Sequence, residues 1–369
     1  MKLLILTQKI DRNDDVLGFM HGWILEFAKK CEQVTVICLG KGEYDFPGNV
    51  KVFSLGKEVY DANPLINAND ANREYGKSPL KFVKKINYIF RFYKYIWRER
   101  GSYDAVFVHM NSEYVVLGGL LWRLWRKKIM LWNNHLIGNL QTRLAVALAH
   151  RSFYTSPFSF NAKISGKKGV RMPAGIDTQL FRRLPGVVKK QNSLLFLGRI
   201  SPVKRLEVLL ESVQLLNEEN FSFTLDVVGE ALPRDVDYFE DLKNKFSDLL
   251  KSDKIKFLGK SANYETPQIY NSHQVCVNLT NSGSLDKTIL EAMATETLVL
   301  VSNESFKNVL PKELMFREND VNDLCQKVKI ILNQSQDDRE ALGRKLRIIV
   351  EEEHSLKKLT SLVLAEAEL

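Results

Sequence analysis

Apolar runs of three to five residues recur along the chain, separated by stretches whose apolar residues return at helical spacing. In the first half the runs fall at residues 3–7, 34–38, 50–54, 105–109, 129–132, 153–155 and 170–172, and each is expected to be a strand. Between them the period lengthens. In residues 16–30, Phe19, Trp23 and Phe27 follow one another at i, i+4, i+8, which predicts a helix with one buried face. Residues 59–77, with Pro64 followed by three Asn before Arg73, read as a long polar loop. After Gly186 and a Lys-Lys-Gln-Asn turn the pattern starts again, with strands expected at 194–197, 224–228, 255–258, 275–279 and 298–301. Helical patterns at 321–332, 337–352 and 356–367 close the chain. Strands alternating with helices are the signature of a mostly parallel sheet covered on both faces.

Two such series joined by one short linker imply an α/β protein of two Rossmann-like, doubly wound domains facing across a cleft. The expected division is 1–178, 179–355, and a last helix at 356–369 that packs back on the first domain. A length of 369 residues suits two cores better than one. The four cysteines, Cys31, Cys38, Cys276 and Cys325, are scattered and form no CxxC pair. That argues for a reducing compartment and against a disulfide framework or a zinc site. No apolar run approaches the roughly 20 residues that span a bilayer. The first apolar run is also too short for the core of a secretion signal. The reading is a cytoplasmic protein.

Charge is divided unequally. Residues 1–178 carry 27 Lys plus Arg against 15 Asp plus Glu, and the remainder 26 against 29. The basic excess belongs to the first half, and within it to residues 77–100, which hold eight Lys or Arg and one acid among Phe82, Ile86, Tyr88, Ile89, Phe90, Phe92, Tyr93, Tyr95, Ile96 and Trp97. On a helical wheel this is a basic, aromatic amphipathic helix, and a second patch follows at residues 120–128. Such helices lie in anionic membrane interfaces, or pack on a sheet with a cationic outer edge. Nucleic acid is the weaker reading because no recognition motif accompanies the charge.

The second half carries the chemistry. The run 275–279 leads into the polar turn Ser282-Gly283-Ser284-Leu285-Asp286-Lys287 and then a helix with Glu291. A turn at the carboxyl edge of a parallel sheet lies where open α/β folds bind ligands, and unpartnered N–H groups at a helix start attract anions. Leu197-Gly198-Arg199 with Lys204 ends another strand at the same edge. A guanidinium and an ammonium converging on an anion site make a diphosphate clamp; two solvated surface cations are the competing reading. No GxGxxG follows the first strand and no GxxxxGK[ST] occurs, which argues against a dinucleotide cofactor and a P-loop. In the first half, His109 and His135 follow apolar strands and are expected at that sheet's edge, with His21 on the first helix and Gly18 in the turn before it.

Taken together, Gly198-Arg199 with Lys204, Val228-Gly229, Phe257-Leu258-Gly259, and the Ser282 turn with Glu291-Ala292-Met293-Ala294 resemble the donor domain of retaining glycosyltransferases of the GT-B fold, family 4. Ala174-Gly175-Ile176-Asp177 with Phe181 resembles that family's inter-domain segment. The resemblance implies that Arg199 and Lys204 hold the diphosphate of a nucleotide sugar and act in catalysis with His135. It implies donor contacts from Gly198, Gly229, Gly259, Ser282, Gly283, Ser284, Leu285, Asp286, Lys287 and Glu291, and an acceptor side at Gly18, His21 and His109. Glu291 matches the second acid of the family's E-x7-E motif; the first falls on Gly283 and is missing. Thr295-Glu296-Thr297 stands where the family usually has a glycine.

The implied activity is metal-independent transfer of a hexose-type sugar, with retention, from a nucleoside-diphosphate sugar (UDP or GDP) to a lipid-linked or cell-surface glycan. The expected setting is polysaccharide biosynthesis, at the inner face of a membrane. The donor is a substrate, so no cofactor and no metal is expected. Two rival readings stay open: a catalytically silent GT-B subunit of an assembly complex, and a nucleotide-sugar epimerase or hydrolase on the same fold.

Overall fold

The computed structural model describes residues 1–61, 79–283 and 285–369. The chain divides into two compact units, one of Met1–Met172 with Thr360–Leu369 and one of Pro173–Leu359. In the first unit β1 (Lys2–Ile10), β2 (Gln33–Lys41), β3 (Val50–Ser54), β4 (Ala105–His109), β5 (Lys128–Trp132), β6 (Arg151–Tyr154) and β7 (Gly169–Arg171) form one sheet in the order β3-β2-β1-β4-β5-β6-β7. In the second, β8 (Ser193–Leu197), β9 (Thr224–Val228), β10 (Ile255–Phe257), β11 (Val275–Asn278) and β12 (Leu298–Val301) form a sheet in the order β10-β9-β8-β11-β12. Every pairing is parallel.

β4, β11 and β12 form because their runs are apolar almost throughout, with polar residues only at the carboxyl ends of β4 (His109) and β11 (Asn278). All five residues of β4 and all four of β11 and β12 are buried, as covering a parallel sheet on both faces requires. Helices on the faces supply the other half of each core. In the first unit Trp23, Phe27, Phe107 and Trp122 are buried, each contributing about 1.5–3 kcal/mol of transfer free energy.

Several elements start elsewhere than the pattern predicts. β1 and β2 run on to Ile10 and Lys41 because they pair beyond the apolar run, Lys9 with Gly40 and Ile10 with Lys41. The helix expected from residue 16 begins at Phe19; the Asp14 carboxylate accepts from the N–H groups of Val16 and Leu17 just ahead of it. Lys57–Asp61 is helical, so the loop expected over 59–77 begins inside a helix, and its residues 62–77 lie outside the described residues. The basic helix is Pro79–Arg98, with proline at its first position; Lys77 lies outside the described residues. Its apolar side chains divide between two faces: Phe92 and Ile96 are buried, while Val83, Ile86, Phe90 and Trp97 are exposed. The last helix, Leu356–Glu368, belongs to the first unit from Thr360 onward, where Lys30 donates to Thr360 Oγ1 (2.6 Å) and Arg151 pairs with Glu366 (2.5 Å).

Candidate active site

In the second sheet the strand order reverses between β8 and β11, which run side by side with Leu194 opposite Val275. At such a switch point the connections leave in opposite directions and open a crevice at the carboxyl ends of the strands. The β8 end delivers Gly198, Arg199 and Lys204; the β11 end delivers Thr280 to Asp286. Topology therefore brings together two stretches about eighty residues apart, and Lys204 Nζ donates to Thr280 Oγ1 (3.1 Å) and to Asp286 (2.5 Å).

Asp286 is the hub of this edge. It caps the helix Lys287–Ala294, accepting from Thr288 N (3.3 Å) and Oγ1 (3.1 Å), and accepts also from Asn278 Nδ2 (3.1 Å) and Thr280 Oγ1 (2.8 Å). Burial alone raises a carboxyl pKa. Here the adjacent Lys204 ammonium and the other donors outweigh it and hold Asp286 well below the usual carboxylate range. An ammonium has three N–H donors, and two of Lys204's are engaged, which leaves one directed elsewhere. Arg199 is exposed and has no hydrogen-bonding or ionic partner among the described residues. The edge thus presents one held ammonium and one unengaged guanidinium.

The Ser282 turn differs from expectation. The helix starts at Lys287, the last residue of the expected turn, and Ser284 lies outside the described residues. The N–H groups of Ser282 and Gly283 are not open to an anion: Ser282 donates to Glu318 through its N–H (2.7 Å) and hydroxyl (2.6 Å), and Gly283 N–H donates to Ser305 Oγ (3.1 Å). These bonds hold the Glu318 carboxyl below its ordinary range. Leu285 packs against the apolar core of this unit.

Glu291 is 5% exposed and accepts from Tyr270 OH (3.2 Å) and Asn263 Nδ2 (3.3 Å). Burial raises its pKa and lowers that of Lys287, one turn before it on the same helix. Gly229 serves close approach: a Cβ there would stand 1.9 Å from the Gly198 carbonyl oxygen, and its N–H donates to Gly259 O (2.7 Å). Gly198, Gly229 and Gly259 therefore lie side by side at the ends of β8, β9 and β10.

In the first unit His135 is exposed after β5, its N–H donating to Asn133 Oδ1 (2.9 Å). His109 corrects the expectation of a residue open at the edge. It ends β4 but is 5% exposed, enclosed by the rings of Phe19 (5.8 Å), Trp23 (5.5 Å) and Trp132 (6.4 Å). His21 stacks on Phe46 (4.6 Å) and accepts from Asp45 N–H (3.1 Å); burial lowers its pKa. Gly18 caps the helix Phe19–Lys30 with ordinary helical angles, φ −53° and ψ −30°.

The architecture has clear relatives. HepE of Anabaena, solved in complex with UDP and glucose, superposes with a TM-score of 0.73 at 16% identity, covering 100% of this chain and 99% of that one. Sucrose-phosphate synthase of Thermosynechococcus elongatus does so with 0.75 at 16% identity, covering 99% and 98%. The fold is GT-B. Within this GT-B chain, residues 191–334 match the family model described as glycosyl transferases group 1. The alpha-monoglucosyldiacylglycerol synthase of Streptococcus pneumoniae is 30% identical over 132 residues, 36% of this chain; the match spans 29% of that relative's length.

Sequence reasoning missed Asn278, Thr280, Tyr270, Asn263 and Glu318. Asn278 and Thr280 flank the end of β11 and were legible as polar interruptions of an apolar run. The other three reach the site from separate loops and helices of this GT-B unit, and no local signal marks them.

Proposed function

We propose that the protein is a glycosyltransferase that moves a hexose-type sugar from a nucleoside-diphosphate sugar, with retention and without a metal, to a lipid-linked or cell-surface glycan. The observation that carries this reading is the pairing, at the switch point of the second sheet, of Lys204 held by Asp286 with an unengaged Arg199. When the bond from sugar to diphosphate breaks, negative charge grows on the leaving diphosphate. Fixed cations at that point stabilise the transition state more than the ground state. Arg199 takes the phosphate oxygens through its planar fork, and Lys204 through its remaining N–H. Glu291, which accepts from Tyr270 OH, hydrogen-bonds the ribose of the donor. On the first unit His135 is assigned to the reacting sugar and Gly18 and His21 to the acceptor side; the enclosed ring of His109 supports the strand end instead.

The acceptor reading draws on the helix Pro79–Arg98. Val83, Phe90 and Trp97 are exposed beside Lys85, Lys94 and Arg98, and Leu120 and Leu124 are exposed on the helix Ser112–Leu124. Exposed apolar side chains among cations suit an anionic membrane surface. The matched relative's name includes diacylglycerol, which makes vesicles carrying diacylglycerol the first acceptor to try. No helix among the described residues is long and apolar enough to cross a membrane.

The test is release of nucleoside diphosphate from UDP-, GDP- and ADP-hexoses, with and without such vesicles, and the anomeric configuration of the product by NMR. Acceptor-dependent release that Arg199→Ala abolishes, with an anomer matching the donor, supports the reading. Release without acceptor points to a hydrolase. Donor binding without turnover, whatever acceptor is offered, points to the silent subunit, a reading that the missing acid at Gly283 favours.

A further inference from the structure

Opposite the switch point, at the amino ends of β11 and β12, the second unit carries a depression of about 590 Å³. Gln274, just before β11, and Leu298, the first residue of β12, form part of its wall. One strand length, roughly 13 Å for four residues, separates it from the Lys204–Asp286 edge, so it is not an extension of that site. Its charged lining is Arg183, Lys189, Arg339 and Arg344 against Glu296 and Glu340. This is a cationic hollow in the half of the chain where acids outnumber bases.

The cations are poorly compensated. Arg344 lies 3.8 Å from Glu340, but among the described residues Arg183, Lys189 and Arg339 have no carboxylate within ion-pair distance. Their bonds are to neutral acceptors. Arg183 donates to Asn271 Oδ1 (3.0 Å) and Val187 O (2.8 Å), and Arg339 to Leu332 O (2.9 Å) and Gln334 O. Lys189 Nζ donates to Glu296 O and Thr297 Oγ1, both at 3.1 Å. A guanidinium has five N–H donors, so both arginines keep several to offer. Burial, with the neighbouring Arg183, pushes the Lys189 ammonium down to about 7, against the weaker pull of Glu296 and Glu340. Four cations held near one another against two acids are costly unless an anion joins them.

We propose that this depression is a second ligand site, which binds a small multiply charged anion bearing phosphoryl groups. Arg183, Lys189, Arg339 and Arg344 grip the phosphoryl oxygens, and Val187, Val188 and Leu298 form the apolar wall. The volume lies within the range of small-molecule sites, about 300–1,000 Å³. The site also touches the donor machinery through the chain. The helix Lys287–Ala294, which carries Glu291, ends at Thr295-Glu296-Thr297, the segment to which Lys189 donates.

The test is calorimetric titration of inorganic pyrophosphate, in metal-free buffer, into Arg199→Ala/Lys204→Ala, which lacks the proposed donor clamp. One site per chain should remain. Adding Arg344→Glu and Arg339→Gln should weaken it about tenfold or more, the loss expected from removing a charge-assisted hydrogen bond. Arg344→Glu alone, an exposed position, guards against a folding defect, and should itself weaken pyrophosphate while leaving UDP titration of the otherwise unaltered chain as it was. By NMR, sulfate, whose own charge is constant, should raise the pKa of the Lys189 amine. Absence of pyrophosphate binding in the Arg199→Ala/Lys204→Ala background, or binding indifferent to Arg344→Glu, overturns the proposal, whatever the fate of the donor assignment.

Discussion

The carboxyl edges of the two sheets are built in opposite ways. In the second unit the edge is a polar circuit in which Asp286 accepts from Lys204, Asn278, Thr280 and Thr288, with the exposed Arg199 guanidinium left unengaged among the described residues. In the first, the histidine that ends β4 is walled in by aromatic rings, and the segment after β5 exposes His135, Leu136, Ile137 and Leu140. A preformed polar circuit suits a ligand of fixed charge, because its cost of organisation is met on folding and not on binding. An exposed apolar segment suits a partner with apolar surface, as the proposed lipid-linked acceptor has. On the proposed function, donor and acceptor recognition would rest on different physics, and each half can be broken separately.

The largest effect is expected from breaking the circuit. Asp286→Ala removes the carboxylate that Lys204, Asn278 and Thr280 share and leaves the Lys204 ammonium without its counter-charge, and should destabilise the chain by about 3–5 kcal/mol in urea denaturation. The pH dependence follows in sign. Because the folded carboxyl titrates below its unfolded value, its contribution is full above the ordinary carboxylate range and fades only as pH falls toward the lowered folded value. The stability difference between wild type and Asp286→Ala should therefore be flat from neutral pH down to about 5 and shrink in stronger acid. A difference that shrinks near neutrality contradicts the circuit.

Arg199→Ala should do the reverse. Its stability should stay within about 0.5 kcal/mol of wild type, since an exposed side chain with no partner is removed. Transfer should fall by roughly 10²–10³, the usual effect of deleting one transition-state donor. On the first unit, Phe90→Ser with Trp97→Ser should leave donor binding unchanged. Partition to anionic vesicles should drop about tenfold or more in a sedimentation assay, from the loss of two aromatic side chains that would be buried there. Partition unaffected by this pair, or donor binding that falls with it, would erase the contrast between the units.

The smallest effect sharpens the comparison within the second unit. Glu296 sits at φ 59°, a left-handed conformation that costs a side chain roughly 1–2 kcal/mol and glycine nothing. Glu296→Gly should raise the melting temperature by a few degrees, about 2–4 °C for a stabilisation near 1 kcal/mol. A lower melting temperature would show that the Glu296 side chain contributes more than its backbone strain removes.

Much of the fold is legible in the sequence, for a physical reason. β4 and β12 occur over the residues their apolar runs predict, because a strand whose residues are all buried shows as a nearly continuous apolar run. β3 and β9 do so as well, although Lys51 is exposed in the one and Asp226 interrupts the other. Helix starts are less legible. Asp286 reads as one residue of a polar turn, and only the structure shows that it caps the helix, which starts at Lys287. The expected anion nest failed for a tertiary reason: Glu318 and Ser305 come from beyond β12 to take the N–H groups of Ser282 and Gly283. The convergence of Lys204 with Asp286 follows from strand order, which periodicity does not encode.

The most direct test of the central claim is calorimetric titration of UDP and UDP-glucose into wild type and Arg199→Ala. The account predicts one site per chain, weakened at least about tenfold by the substitution at unchanged melting temperature, as expected for loss of a charge-assisted contact. Folded wild-type protein that binds neither UDP, GDP nor ADP, or that binds one of them equally well after Arg199→Ala, would contradict it.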